Sequence, residues 1–576
     1  MWSRWRDAVI CVGAGLAALT AASSDAPAQA IAPSQVTPPS LRPAQPPAGA
    51  VIVSPRTSPL TAPPGARDLT VLIGNVVVEG SFPELAGASE TFTAQLTGKR
   101  VSVEAIYAAA ARLEQAYVQA GFSLVRVVLP AQHLVDRGPL RVAVIDGFIE
   151  QVDVSALPAQ VRGVIERRTA ALVGRRHVTQ AQIEHALLIA AEVPGMKLKS
   201  SLARGVAEGG TRLILEGEHH LVSVAAGTDN RLSKSLGIWQ LRGSVTVNSA
   251  LGWGEQVYAS AGSGANPNDF VGGRPPLLLY GVGAVLPFGS DGLTVNPEYT
   301  RSITRTAAAA NVPATLGTFE RYSLRLRDPI RLTRTGSLYA NAALELIDQQ
   351  SQASEFGVAL NHDHYGALRL GSEYATVLPW GAGLQLGAQG SFGLGGRGTL
   401  DADATGIPLS RQSASPQFVK WSANARLSQP LPGGLQLDVL TAGQYSHGRA
   451  LLRPEQIALD GSDALTAFAS GTFTADQGVT LRGELSRAFA LPFNTSTMNL
   501  SPYLFGAYGH GWIVNATAVE QPSFNAESVG AGVRSGLGGA AGWTAANLTL
   551  EVARGFTDLA GVKAGWRGTM LLNVAF

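Results

Sequence analysis

From residue 221 to Phe576 the chain keeps one texture: short runs of alternating apolar and polar residues, separated by Gly, Asn, Asp and Ser, with no convincing helical period. Val245 and Val247 alternate with Ser244, Thr246 and Asn248; Tyr322, Leu324 and Leu326 alternate with Ser323, Arg325 and Arg327. Leu344 and Leu346 flank Glu345, and Leu435, Leu437 and Val439 alternate with Gln436 and Asp438, as Leu548, Leu550 and Val552 do with Thr549 and Glu551. A period of two puts apolar side chains on one face of a strand and polar ones on the other. Alternation alone suits a soluble sandwich as well as a membrane barrel, and length separates them. Roughly 356 residues of unbroken β texture exceed one sandwich, whereas at about 22 residues per strand and connection they suit sixteen strands closed in a bilayer. Closure leaves no backbone edge unpaired in lipid. Arg325, Arg327 and Glu345 then become candidate lumen charges, either meeting a passing chain or, more simply, satisfying one another and water.

Two further features favour lipid. Met570, Leu572, Val574 and the terminal Phe576 fall on one face of a last strand, which resembles the C-terminal signal read by the barrel-assembly machinery. The motif Leu-Pro-x-Gly/Asn recurs at 286, 378, 431 and 491, as expected of short turns at one end of a barrel.

The N-terminus has the form of an export signal: basic residues Arg4 and Arg6, an apolar stretch from Ala8 to Ala22, and Ala28-Gln29-Ala30, which predicts cleavage after Ala30. The single cysteine, Cys11, lies inside that signal, leaving the mature chain without disulfide or thiolate chemistry. Prolines at 33, 38, 39, 43, 46, 47, 55, 59, 63 and 64 predict an extended, helix-free tether over residues 31–67. Residues 68–147 read as a compact α/β unit. Its helix after Ser102 carries Ile106, Ala110, Leu113, Tyr117 and Ala120 on one face and stops at Gly121. Residues 148–219 repeat the arrangement, with a Thr179-x-x-Gln182 capping box opening the second of two helices. The domains expected are therefore a signal (1–30), a tether (31–67), two α/β modules (68–147, 148–219) and a barrel (220–576).

Charge and motifs exclude several functions. A net charge of +2, with basic and acidic residues dispersed, gives no reason to expect a nucleic-acid partner. Gly393-Leu-Gly395-Gly-Arg-Gly398 matches a phosphate-loop pattern, but no helix follows it, so a hairpin tip is expected. His362 and His364 share one strand face, and two ligands do not make a metal site. No nucleophile elbow, zinc-protease motif or assignable carboxylate pair occurs, so neither catalysis nor a cofactor is expected.

The order of parts resembles the transporters of two-partner secretion, the hemolysin secretion/activation family, within the POTRA-bearing outer-membrane superfamily. Gly121-Phe-Ser-Leu-Val-Arg-Val-Val-Leu-Pro130, with Gln132, Gly138 and Asp146-Gly147, is similar to that family's first POTRA pattern. Thr228-Asp-Asn230, Asn248 and Gly252-Trp-Gly-Glu255 resemble its first barrel hairpin. The resemblance implies a 16-stranded antiparallel outer-membrane β-barrel preceded by two periplasmic POTRA domains, in the outer membrane of a Gram-negative bacterium. Its implied partner is a secreted polypeptide, large and β-helical, held in the periplasm and passed through the pore. An outer-membrane assembly factor and a passive solute pore are the alternatives.

The family folds one long outer loop into the lumen and marks its tip with Val-Arg-Gly-Tyr/Phe. Here the matching tip is Leu465-Thr466-Ala467-Phe468, with threonine for the arginine and alanine for the glycine. The arginine's acidic partner lies in Phe-x-Asp-x-Gly, matched here by Phe505-Gly-Ala507-Tyr-Gly509. Both partners are replaced together, which avoids stranding one sheltered charge. The family's N-terminal helical plug is not expected from the proline-rich tether, so the loop alone is expected to fill the lumen.

Overall fold

The computed structural model describes residues 32–41, 61–265, 274–308, 313–397, 414–493, 496–518, 520–538 and 545–576. The predicted cleavage site at Ala30 and the last glycine of the phosphate-loop-like run, Gly398, lie outside these residues. The first described element corrects the expectation of a helix-free tether: Pro33–Val36 forms a single helical turn, α1. Proline is tolerated at the first helical position, where its missing N–H has no partner to lose, and the turn ends before Pro38.

The first module contains β1 (Thr70–Leu72), β2 (Asn75–Glu79), α2 (Ala86–Leu96), β3 (Arg100–Ser102), α3 (Val103–Gln119), β4 (Arg126–Val128) and β5 (Pro139–Ile145). β5 lies between β2, to which it is parallel, and β4, to which it is antiparallel; β1 pairs with β3. Ile106, Ala110, Leu113 and Tyr117 of α3 are buried against Val127, Leu140 and Val142, while Ala120 caps the helix at the surface. Gly121 (φ +94°) takes the left-handed conformation that lets Phe122 N–H return to the Tyr117 carbonyl and close the helix end. Sequence reasoning missed α2, which buries only Ser89, Phe92 and Leu96 and so carries little periodic signal.

The second module contains β6 (Phe148–Asp153), α4 (Ala159–Thr169), α5 (Gln180–Ala191), β7 (Met196–Arg204) and β8 (Gly210–His219), with sheet order β6-β8-β7. The Thr179 hydroxyl accepts from Gln182 N (3.3 Å) and the Gln182 side chain accepts from Thr179 N (3.1 Å), completing the capping box. Arg168 is buried between the helices and donates to the Ile189 carbonyl (2.6 Å); burial pushes its guanidinium down to about 10.

Sixteen antiparallel strands follow, from Val222–Asp229 to Gly565–Ala575, and these two pair to close the barrel; one strand is interrupted at Ala488. Its burial is the reverse of a soluble protein's. Tyr322, Leu324, Leu326, Leu344 and Leu346 are 42–55% exposed on the outer face, whereas Arg321, Ser323 and Glu345 are 5–6% exposed within. Apolar residues kept out of the core and charges kept in are stable only if the outer face meets lipid. Tyr322, Trp421, Tyr445 and Trp566 add outward aromatics near the end away from the modules, where a membrane interface would lie.

The modules fix which end is which. Ile189 of α5 packs against Leu332 and Tyr339 at the turn between strands Thr315–Thr333 and Gly336–Ala353, and the Tyr339 hydroxyl donates to Glu192. All four Leu-Pro motifs lie at the ends of strands that run toward this end, three beginning within the strand and Leu378 directly after strand Val358–Val377. Glu255 accepts from Leu251 N (2.6 Å) and Trp253 N (3.1 Å), shaping the first barrel turn, and a Cβ on Gly254 would come within 2.9 Å of Val164 in α4. The glycine lets the turn dock on the second module.

Candidate functional site

The polar faces of the barrel strands converge on the lumen, and among the described residues two segments of the chain enter it. The first is residues 32–41. Ser34 N donates to Gln349 (3.2 Å), Thr37 shares a hydrogen bond with Ser302 (2.6 Å), and the Ser40 hydroxyl and Leu41 N donate to Glu298 (2.9 and 3.2 Å). Arg321 and Arg325 donate to the Pro38 and Pro39 carbonyls (3.0 and 2.8 Å). Loop-only filling of the lumen is thereby corrected. The prolines that forbid a long helix leave carbonyls free of internal bonding, and wall arginines use them.

The second segment is the loop of residues 446–476. Its two short strands, Ile457–Ala458 and Thr474–Ala475, pair with each other and not with the barrel ladder. Asp460 ties the limbs by accepting from Gly471 N (3.0 Å) and Phe473 N (2.8 Å). On the descending limb, Glu455 is fully buried between Arg369 (2.7 Å) and Lys420 (2.8 Å) and accepts from the Tyr365 hydroxyl (2.8 Å).

Two of the three charges predicted for the lumen, Arg325 and Glu345, belong to one connected set. Glu298 meets Arg325 (3.1 Å), Arg325 meets Glu345 (3.6 Å), and Glu345 meets Arg369 (2.8 Å), which continues to Glu455. Arg327 lies nearer the modules, paired with Glu373 (3.4 Å) and stacked 3.4 Å from the centre of the Tyr339 ring. A cavity of about 970 Å³ remains between the two lumen segments and this wall, lined by Gln35, Arg325, Glu345, Arg369, Lys420 and Glu455 among others. Charges of both signs neutralise each other along the wall, leaving a polar surface without a strong single-sign field that would trap a passing chain.

The loop tip and the strand expected to face it are brought together. Leu465, Ala467 and Phe468 form one buried apolar cluster with Phe505 and Ala507, and a Cβ on Gly509 would lie 2.9 Å from Leu465. Thr466 points instead at two charges that the sequence reading did not single out for the lumen: Arg482 donates to its hydroxyl (3.1 Å), and that hydroxyl donates to Glu551, read there only as a polar-face residue. A signal for them existed. Thr480, Arg482 and Glu484 share one face at spacing two, which on a barrel strand is the lumen face. Glu455, by contrast, sits in a loop that carries no periodicity.

The remaining expectations fall outside the lumen. His362 and His364 share the outer face and both turn to Asp348 (3.4 and 2.9 Å). Gly393 and Gly395 lie at the end of strand Gly383–Arg397. Phe576 is about half exposed, and its backbone exchanges hydrogen bonds with Val224 (2.8 and 3.2 Å).

Comparison with known proteins follows the same division. Residues 209–535 match the family model for haemolysin secretion/activation protein ShlB/FhaC/HecB, and residues 71–147 match the ShlB-type POTRA domain. The outer membrane transporter CdiB of Escherichia coli is 22% identical over 481 residues, spanning 79% of this chain and 76% of that one. The hemolysin transporter protein ShlB of Serratia marcescens is 26% identical over 400 residues, 67% of each. Among solved structures, CdiB from Escherichia coli superposes with a TM-score of 0.66 at 18% identity, covering 90% of this chain and 94% of that one. CdiB from Acinetobacter baumannii gives 0.59 at 14% identity, with 100% and 97% covered.

Proposed function

The chain belongs to the haemolysin secretion/activation protein family, the transporters of two-partner secretion in the outer membrane, and from that premise we propose how it exports its secreted partner. The partner is an unfolded polypeptide, large and destined for a β-helical fold, that the two periplasmic modules hold by adding it as a strand to an exposed sheet edge. Main-chain hydrogen bonds give such a contact affinity without strict side-chain readout. The partner then threads the lumen once residues 32–41 and the loop of residues 446–476 move aside. Folding outside supplies direction, and no catalytic step is required of this chain.

The observation that carries this reading is that both lumen occupants stay out of the barrel ladder and are held largely by side chains, with backbone bonds from the loop to the wall at Ser470 N (to the Arg231 carbonyl, 2.9 Å) and, at its root, Asp476 N (to the Trp512 carbonyl, 3.1 Å). They can leave while every wall strand keeps its neighbours. The terminal strand, with Phe576 facing outward, is read as the segment that the barrel-assembly machinery engages.

Export is tested in cells with and without this gene, scoring the intact partner in the medium. Deletion of residues 68–219 should abolish export while an inserted barrel remains. Export that persists without the modules removes the capture step; export unchanged without the gene removes the transport reading.

A further inference from the structure

We propose that Arg482 and Glu551, an ion pair carried wholly by the barrel wall, form the latch for the loop tip, so that the tip leaves its seat without separating opposite charges. The proposal rests on the reading that the loop moves aside during export. Arg482 is fully buried: Nε donates to Glu484 (2.7 Å), one terminal nitrogen donates to Glu551 (2.7 Å), and the guanidinium lies 3.7 Å from the Phe505 ring centre. Ala507 stands opposite Arg482 in the ladder, where its small side chain leaves the guanidinium room. The other terminal nitrogen reaches the loop, donating to the Ala464 carbonyl (3.2 Å) and the Thr466 hydroxyl (3.1 Å).

Every wall charge here keeps a wall partner when the loop is removed. Arg482 keeps Glu484 and Glu551, Glu551 keeps Arg482 and the Tyr503 hydroxyl (2.9 Å), and Glu484 keeps Arg534 (2.7 Å). The tip surrenders only neutral groups. An arginine on the loop would instead have to be pulled from a sheltered acid, at a far higher cost. The apolar half of the seat is carved into the wall: a Cβ on Gly509 would lie 2.9 Å from Leu465 Cδ1, and one on Gly555 would lie 2.5 Å from Phe468 Cζ.

The test is single-channel recording of the full-length protein in planar bilayers, with barrel integrity checked by heat-dependent gel mobility. Thr466→Val keeps the tip's shape and removes both hydroxyl bonds, so its open-to-shut ratio should rise about tenfold or more, while Thr466→Ser should stay near the parent. A Gly/Ser replacement of residues 461–471 supplies the unlatched reference. If that reference opens and Thr466→Val stays shut, the latch is wrong and the transport reading survives. A reference that remains shut even with Glu455→Gln added and residues 32–41 deleted removes the moving loop itself, and the latch with it.

Discussion

Replacing Glu455 by glutamine should unseat the inner loop from its base. The carboxylate is completely buried and neutralises two cations at once, Arg369 at 2.7 Å and Lys420 at 2.8 Å. Removing one member of a buried ion pair costs about 3–5 kcal/mol, because the survivor is left uncompensated. Arg369 retains Glu345 at 2.8 Å, and Lys420 retains the residue-455 backbone carbonyl at 2.7 Å, which places the cost near the lower end, about 3 kcal/mol. In the released state both cations meet water in the lumen, so that cost falls on the shut state alone and should raise the open-to-shut ratio about a hundredfold. The assays are single-channel recording and uptake of a large antibiotic that an intact outer membrane excludes. Adding Lys420→Met should recover part of the effect, since one stranded cation is then gone. A ratio that moves less than about threefold in Glu455→Gln, with the barrel intact, would refute the reasoning, as would a double variant leakier than the single one.

Two other outcomes are expected. Asp136 accepts from Leu72 N (2.8 Å) and then Arg100 (2.6 Å), contacts that hold its carboxyl below the ordinary 3.8. Its contribution is therefore full above about pH 3.8 and lost as pH falls through the lower folded value, so Leu72 amide exchange should accelerate there in the parent and lose that dependence in Asp136→Asn. At the seam, the Asn230 side chain donates to the Gly568 carbonyl (3.0 Å) and accepts from Met570 N (2.8 Å). Asn230→Ala should cost about 1–3 kcal/mol and lower the temperature at which the barrel unfolds on gels; an unchanged temperature would show that the seam does not lean on this amide.

The barrel was legible because its signal is one-dimensional: Leu324 and Arg325 differ in face by virtue of being neighbours, wherever the strand sits. Arg325 and Glu345 could be placed in the lumen on that ground, and the seating of the loop tip near the strand of Ala507 could be suspected because both halves of an expected ion pair were absent. The parts that were not legible depend on which distant strands face each other. Arg482 meets Glu551 across 69 residues of sequence, and Glu455 meets Arg369 across 86. No local pattern records such distances. The lumen turn at Pro33–Val36 was obscured for a different reason: its sequence disfavours helix on average, while position-specific tolerance for a leading proline permits one turn.

The closing seam has a consequence for how the molecule is made. Asn230 and Gly568 are 338 residues apart, and the last strand pairs through residues 571–575 with residues 225–229 of the first. No prefix of the barrel is a finished sheet; one that stops short of the last strand presents two raw edges, each a template for foreign strands. Completion of the final strand removes both edges in one event. Until that strand is in place a partly made barrel stays open to pairing with other chains, and the seam is what ends that exposure.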